Sequence, residues 1–484
     1  MTETFQALAG ILIGDPASPI LWILFISDLS LEDHPDDVVL DGQVVNLLLI
    51  ADDVLALSTS DCGILQKGAR IYLFCALNFL ILCVIKTLAL LFGPLPTSLP
   101  LLTIGDEPVT MVDTATYAGM TFTTTKRDIL AEHYVKKAAA ARNIANTSLS
   151  LESSVGTVPP PAVLTMYRAQ VEPHLVYGCE VALDVSESAL KPLMSVQHTY
   201  LRRALGLGSH SQLAPLFTET GIWPLRYRRA ALVLRYLRYI LRDEPKLALA
   251  AVREAWTLAQ NGHSTWWSDL CHSLLSLPVP VPVALDVWPT TDSVARLIQD
   301  LEQSLARHLF TTVRDSRRLP MLWARFSRLS SAPSLSQVCA PQPYLKLTST
   351  KPREALVRLL TSDHPFGIEV GRRRSPQVPE HRRICRFCRK RKAIEKEEHV
   401  LLECEDERLE HLREARLLDA LQPLLPGTRE LYHRLPSMAF LNFILRKERL
   451  LPVFAQYVYE VYQLVETVPY FLVRSDTELQ SLDL

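Results

Sequence analysis

The stretch Ile50-Ala51-Asp52-Asp53 constrains this chain more than any other, because it places two adjacent carboxylates between two short apolar runs. Residues 43–49 before it and 54–58 after it are rich in Val and Leu and are of strand type. Two such strands joined by a tight turn form a β-hairpin, and both Asp side chains then lie at its tip. Paired carboxylates in such a position are suited to holding divalent cations.

A loop rich in Gly and Pro, residues 14–19, lies upstream of this hairpin. It reads Gly-Asp-Pro-Ala-Ser-Pro, and an apolar run from Ile20 to Ile26 follows it. Proline at position 19 suits the first turn of a helix. We therefore expect a rigid loop that leads into a buried helix.

The order of these motifs resembles the palm of reverse transcriptases from non-LTR (LINE-type) retrotransposons. As in that family, the hairpin is followed by Asn78, by Lys86-Thr87 and by Phe92-Gly93. The segment Tyr117-Ala118-Gly119 resembles the family's primer grip. The similarity continues through residues 167–180, 200–207 and 219–225.

The resemblance implies an ancestral enzyme that copied an RNA template onto a DNA primer with two Mg²⁺ ions. Asp52 would be a direct Mg²⁺ ligand and Asp53 a ligand or its close supporter. Lys86 would correspond to the lysine suggested to protonate pyrophosphate in polymerases. The residues that would contact template and nucleotide are Gly14, Asp15, Pro16, Ser18 and Pro19, and those of the primer grip are Tyr117 and Gly119.

The chain also departs from the family's pattern. These enzymes have a further metal-binding Asp on a palm strand well before the Gly-Asp-Pro loop, and basic fingers before that strand. Here residues 1–13 precede the loop, and Glu3 is their sole acidic residue. We therefore expect an amino-terminally truncated palm without appreciable polymerase activity by itself, for which a complementing fingers fragment is a candidate partner. Ile50 and Cys83 also replace the aromatic residue and the Asn that are usual at these positions.

Helix-like segments follow the palm-like part, with prolines between them. Within Pro224 to Arg242, four arginines fall in an arc of about 80° at 100° per residue, and tyrosines lie beside them. These arginines are Arg228, Arg235, Arg238 and Arg242. The stripe is suited to phosphates and unpaired bases, and the alternative is a solvated helix face over core tyrosines.

Four residues have the spacing of a metal site, C-x2-C-x10-H-x4-C: Cys385, Cys388, His399 and Cys404. Two thiols in one tight turn and a His/Cys pair five residues apart can share one tetrahedral Zn²⁺. The cluster resembles the CCHC zinc segment downstream of the polymerase in many non-LTR elements. The alternatives are unlinked cysteines, or His381 or His411 in place of His399.

Ten basic residues lie between positions 372 and 392, before and within this cluster. Cations displayed beside a zinc knuckle favour nucleic-acid binding with a steep salt dependence. The residues predicted to make such contacts are Arg386, Arg389, Lys390 and Arg391. The competing interpretations are a nuclear-import signal and a solvated run that pairs with acidic residues 395–407.

We expect an α+β fold. A partial polymerase palm, with an antiparallel sheet and helices, would be followed by a mainly helical thumb and connector and a small zinc-binding segment. At 484 residues the chain is long enough for several domains. The predicted boundaries are 1–123 for the palm, 124–245 for the thumb-like region, 246–350 for the connector, 351–410 for the basic CCHC segment and 411–484 for carboxy-terminal helices.

Nine cysteines without a secretory signal favour a reducing intracellular compartment, nuclear or cytoplasmic. A membrane helix within residues 71–92 is the alternative there, although it would bury Lys86 in the bilayer. Two functions follow from the sequence. One is a reverse transcriptase remnant that is inactive alone, and the other is a zinc-dependent nucleic-acid-binding module without polymerase activity. A remnant without any retained function is the third hypothesis.

Overall fold

The computed structural model describes residues 14–94, 96–327, 329 and 333–482, and this part of the chain is mostly helical. The helices are α1 (Ser18–Ile26), α2 (Asp61–Leu77), α3 (Ala131–Ser150), α4 (Glu152–Val155), α5 (Pro160–Met166), α6 (Glu172–Val176), α7 (Glu187–Ala204), α8 (Ala214–Thr218), α9 (Leu225–Asp243), α10 (Lys246–Gln260), α11 (Trp266–Leu275), α12 (Thr291–Arg314), α13 (Pro320–Phe326), α14 (Leu335–Val338), α15 (Thr350–Leu360), α16 (Gly367–Arg373), α17 (Glu407–Arg413), α18 (Asp419–Leu421), α19 (Thr428–Arg434), α20 (Ser437–Leu445), α21 (Leu451–Thr467) and α22 (Asp476–Gln480). Short 3₁₀ turns cover Val84–Lys86, Pro343–Lys346, Glu380–Arg382 and Glu448–Leu450, and π-helical turns cover Tyr167–Val171, His399–Glu403 and Glu414–Leu418.

The strands are β1 (Val38–Leu40), β2 (Gln43–Val45), β3 (Leu47–Ile50), β4 (Asp53–Ala56), β5 (Leu88–Ala89), β6 (Thr103–Ile104), β7 (Glu107–Pro108), β8 (Thr110–Met111), β9 (Thr114–Tyr117) and β10 (Met120–Thr123). Within the described residues they form two-stranded sheets only. The pairs β1–β2, β3–β4, β6–β7 and β9–β10 are antiparallel, and β5–β8 is parallel. Helices and strands are thus both present, as expected. The described part nevertheless contains no continuous palm sheet, because strands of two to four residues leave few backbone groups for a second neighbour.

The expected hairpin around the two aspartates is confirmed. Ile50 of β3 pairs with Asp53 of β4, so Ala51 and Asp52 form a two-residue turn. Ala51 has a φ of 53°, in the left-handed region that a non-glycine residue adopts at a cost of about 1–2 kcal/mol. Residues 1–13 of the predicted palm segment, including Glu3, lie outside the described residues.

The expectation that α1 is buried is wrong. Four of its apolar side chains are 54% to 63% exposed, and Ile26 is its buried residue. The helix is apolar around its circumference but packs on one side, where Phe25 meets Phe74 of α2 with ring centroids 6.2 Å apart. The exposed side chains are Ile20, Leu21, Ile23 and Leu24.

The main hydrophobic core runs from Met120 to Val465. Within it α3 packs on α7, α9 on α12 and α15 on α21. A buried ion pair also ties α9 to the loop before α7, where Arg229 donates to Asp184 at 2.9 Å. This core continues across residues 245, 350 and 410, so residues 351–410 share their interior with the helices on both sides.

The apolar segment 71–92 does not form one helix. It comprises the end of α2, the 3₁₀ turn Val84–Lys86 and the short strand β5. Among the helices that the structure describes, none is both long and apolar enough to cross a bilayer.

Candidate metal centre

The first two candidate ligands lie in a turn within a short ribbon. A β-bridge between Ile384 and Ile394 holds the ribbon together, and the Cys385 amide donates to the Ala393 carbonyl at 2.8 Å. The Arg389 amide donates to the Cys385 carbonyl at 3.0 Å and closes the turn. The thiols of Cys385 and Cys388 are thereby brought to the same side of the ribbon.

The other two candidate ligands are placed by the π-helical turn His399–Glu403. The amide of Cys404 donates to the His399 carbonyl at 2.7 Å, an i to i+5 hydrogen bond. Such wide turns are rare and often occur at functional sites. Here the turn brings two side chains five residues apart to the same point, as the spacing predicted.

The four ligand atoms all lie within 4.8 Å of one another. The sulfurs of Cys385 and Cys404 are 3.8 Å apart, and Cys388 Sγ is 3.5 Å from His399 Nε2. Tetrahedral zinc with bonds of ~2.3 Å to sulfur and ~2.0–2.1 Å to nitrogen requires separations of about 3.8 Å and 3.5 Å. The donor set and its geometry therefore fit Zn²⁺.

Proton sharing inside this group perturbs its titration. Hydrogen bonds with Cys385 and Cys404 hold the pKa of the Cys388 thiol well below its ordinary value, and those with Cys388 and Cys404 raise the pKa of Cys385. Burial opposes protonation of His399, but hydrogen bonds to Cys388 and Cys404 outweigh burial and raise its pKa to about 9. A Cys388 thiolate thus faces a protonated His399, and zinc binding would release the protons held by His399 and Cys385.

Residues outside the ligand group orient it. His399 Nδ1 faces Glu403 Oε2 at 3.9 Å, the side on which metal-bound imidazoles commonly meet a carboxylate. Arg413 of α17 donates to the Cys404 carbonyl at 2.7 Å and to the Leu401 carbonyl at 3.2 Å. The role of Arg413 could not be predicted from the sequence, because its distance from Cys404 along the chain matches no ligand or cap pattern.

The structure divides the ten basic residues into two groups. Arg386 is 6% exposed, and its guanidinium donates to Glu395 and to the carbonyls of Pro365, Val465 and Val468. This predicted nucleic-acid contact is therefore an interior residue. Others with acceptors inside the protein are Arg372 with Glu369, Arg373 with Asp363, Arg382 with Asp476, Arg383 with Val378 and Ile368, and Lys390 with Glu405.

The remaining cations of the run are exposed. Arg374 and Arg389 lie over aromatic rings, and Arg391 and Lys392 have no ion-pair partner in the part of the chain that the structure describes. We call these four the basic surface. It lies beside the metal centre, since Arg389 directly follows Cys388.

Only some of the four arginines predicted to form a stripe on α9 are exposed and unpaired among the described residues. Arg228 is half-buried and pairs with Glu172 at 3.2 Å, and Arg242 pairs with its neighbour Asp243 at 2.7 Å. Arg235 and Arg238 are exposed. Beside them the rings of Tyr236 and Tyr239 stack with centroids 6.1 Å apart, whereas Tyr227 is buried.

The two hairpin aspartates are exposed and lie close to two of the other predicted motifs. Trp22 of α1, which follows the Gly14–Pro19 loop, donates from Nε1 to the Ala51 carbonyl at 2.8 Å. The Tyr117 hydroxyl donates to the Leu48 carbonyl at 3.3 Å, and burial together with the charge of Asp53 raises the pKa of Tyr117. The loop's own residues Asp15, Pro16 and Pro19 are exposed.

Gly119 is required by the turn it occupies. Ala118 and Gly119 join β9 to β10 with φ of 48° and 73°, as in a type I′ hairpin. A Cβ on Gly119 would come within 2.5 Å of the Tyr177 hydroxyl, which donates to the Ala118 carbonyl at 2.7 Å.

The described residues do not fit a two-ion Mg²⁺ site. Among them, the Cys/His group is the only cluster of three or more candidate ligands, so no third group joins Asp52 and Asp53. Lys86 is exposed in its 3₁₀ turn, and no described contact links it to either aspartate.

Comparison with known proteins assigns no family: the chain matches no protein-family model. It has no significant match among curated proteins either. Fold and site therefore define a mostly helical protein with a Cys₃His group that could bind a metal such as zinc.

Proposed function

We propose that this chain binds single-stranded nucleic acid through the basic surface, in a segment whose fold zinc stabilises. We also propose that it is a non-polymerising relative of non-LTR reverse transcriptases. The observation that carries the proposal is the convergence of Cys385, Cys388, His399 and Cys404 within 4.8 Å. When bound, zinc would cross-link the ribbon to the π-helical turn and neutralise the thiolates.

The basic surface beside the metal centre supports nucleic acid as the ligand. Arg389, Arg391 and Lys392 follow Cys388 within four residues and are exposed. Cations in this arrangement bind a strand of phosphates with release of its counterions. Arg235, Arg238 and the stacked tyrosines on α9 would offer a second contact of the same chemistry.

We expect the full-length chain to bind oligouridylate only in its metal-loaded form. Removal of the metal by a chelator should abolish binding, and zinc should restore it. Fluorescence anisotropy at several salt concentrations would measure the affinity. Replacing both Arg391 and Lys392 by Ala should reduce the slope of log K against log salt by about 1.4, that is, about 0.7 for each of two phosphates.

A matched control is the double replacement of Arg314 and Arg317 by Ala, since Arg314 ends α12, Arg317 lies three residues beyond it, and both are exposed outside the basic surface. It should leave the slope unchanged. Binding that survives removal of the metal would contradict the proposal.

A polymerase ancestry is supported by the contacts around the hairpin. Trp22 and Tyr117, from two other motifs of the resemblance, both bond to backbone carbonyls of β3 or its turn. The hairpin that carries Asp52 and Asp53 therefore contacts α1, which follows the Gly14–Pro19 loop, and β9, which leads into the primer-grip-like turn. The lack of a third carboxylate among the described residues argues against retained activity.

We expect no DNA synthesis by the full-length chain on a homopolymeric RNA template with a DNA primer and Mg²⁺ or Mn²⁺. Asp52→Ala should behave like the unaltered chain, because two carboxylates alone do not hold both ions in place. Nucleotide incorporation that Asp52→Ala abolishes would show that a complete site forms.

A further inference from the structure

The segment that follows α21 crosses the zinc segment. We call residues 468–474 the strap. Arg386 donates to the Val468 carbonyl at 3.1 Å, and Arg382 donates to the Arg474 carbonyl at 2.7 Å. Both ends of the strap are therefore tied to the basic segment that carries the first two zinc ligands.

Two adjacent aromatic residues of the strap lie against cations of the basic surface. The Arg374 guanidinium is 4.9 Å from the Tyr470 ring centroid, and that of Arg389 is 5.0 Å from the Phe471 ring centroid. The Tyr470 side chain packs closely against Gly371 of α16. A side chain at position 371 would not fit, because its Cβ would lie 2.8 Å from the Tyr470 hydroxyl oxygen. The strap thus adds ring faces to a surface that otherwise carries only charge.

The backbone of Arg389 points to a use for its side chain. This residue has a φ of 51°, in the left-handed region where glycine is unstrained and other residues are not. The turn uses the amide of Arg389, which bonds to the Cys385 carbonyl, and a long bond of 3.4 Å from Arg389 Nε to the Arg386 carbonyl. A residue other than glycine at such a strained backbone position is typical of functional sites.

We propose that Phe471, Arg389 and Arg374 form a stacking surface for unpaired bases, while Arg391 and Lys392 pair with the adjoining phosphates. This inference rests on the proposed function and deepens it, because it names the side chains that would stack the bases and those that would meet the phosphates. Bases in a duplex cannot reach ring or guanidinium faces, whereas those of a single strand stack on both. The exposed cations Arg391 and Lys392 suit the phosphates of the same strand.

The test compares oligouridylate with an abasic oligonucleotide of equal length and charge, using the full-length zinc-loaded chain. Phe471→Leu should weaken oligouridylate binding by about tenfold and leave abasic binding unchanged, because one stacked base is lost. Phe443→Leu is the matched control, since Phe443 is also half-buried with a cation, Lys447, 5.9 Å from its ring. It should change neither affinity.

Arg389→Gly separates binding from folding. Its thermal midpoint should not fall, because glycine relieves the left-handed backbone, whereas oligouridylate binding should weaken. Single-stranded DNA in place of RNA tests whether the 2′-hydroxyl matters, and binding of either strand supports the proposal.

The possible failures are distinguishable. A chain that binds no oligonucleotide at all overturns the proposed function. Equal binding of oligouridylate and abasic strand, with no effect of Phe471→Leu, overturns the stacking surface alone. Polyglutamate binding as tight as that of oligouridylate would assign the surface to acidic peptides and also overturn the stacking surface.

Discussion

Replacing Cys404 by Ser is expected to destabilise the zinc-loaded protein by at least about 4 kcal/mol, since structural zinc contributes on the order of 10 kcal/mol to small zinc domains. Cys404 is fully buried, and its sulfur is 3.8 Å from that of Cys385. A serine hydroxyl binds zinc poorly and would be left buried without its partner. Urea unfolding of the zinc-loaded chain would measure the loss.

The loss of stability in Cys404→Ser should also extend to helices that pack against the metal centre. The Leu401 carbonyl accepts hydrogen bonds from Arg413 and from the Tyr457 hydroxyl, and the Leu402 carbonyl accepts one from Tyr432 at 2.7 Å. These donors belong to α17, α21 and α19. Hydrogen exchange should therefore accelerate in those helices when Cys404 is changed or zinc is removed.

Cys271 of α11 supplies the matched control, because it is a buried cysteine outside the metal centre. Cys271→Ser should cost about 1–2 kcal/mol for burying a hydroxyl, with no dependence on zinc. Equal losses for the two variants, both insensitive to a chelator, would mean that the four residues do not act as a metal site.

Replacing Arg386 by Met should cost about 3–5 kcal/mol, the usual penalty for removing one member of a buried ion pair. Glu395 is fully buried, and its carboxylate would lose the charge-assisted bonds from the Arg386 guanidinium. The carbonyls of Pro365, Val465 and Val468 would each lose the bond from Arg386 as well, and Val465 would keep the one from the Val468 amide. Urea unfolding would again measure the difference.

Arg391 provides the comparison, since it lies five residues further on and is exposed. Arg391→Met should change stability by less than about 0.5 kcal/mol. The double variant Arg386→Met, Glu395→Leu should recover part of the loss, because it removes the orphaned carboxylate together with its partner. A loss for Arg386→Met no larger than that for Arg391→Met would show that the buried network contributes nothing.

Local patterns predicted those features whose geometry is set within a few residues. The turn at Ala51-Asp52 follows from two flanking apolar strands, and the metal centre follows from ligand spacing in one ribbon and one turn. The arc of arginines on α9 likewise follows from helical periodicity.

Features that depend on distant contacts could not be predicted in this way. The sequence of the basic run does not indicate that Arg386 is buried. The carbonyls that accept its hydrogen bonds, at Val465 and Val468, lie about eighty residues away along the chain. The exposure of α1 contradicts its composition, since apolar side chains are buried only where other elements cover them. The strap lacks any motif, and its relevance comes only from its position over Arg374 and Arg389.

Metal analysis of the purified full-length chain, combined with X-ray absorption at the zinc edge, tests most directly whether Cys385, Cys388, His399 and Cys404 hold one zinc ion. We expect one zinc ion per chain, with three sulfur ligands at about 2.3 Å and one nitrogen ligand at about 2.0–2.1 Å. A chain free of zinc after expression in zinc-supplied medium, or zinc bound only by oxygen and nitrogen, would contradict it.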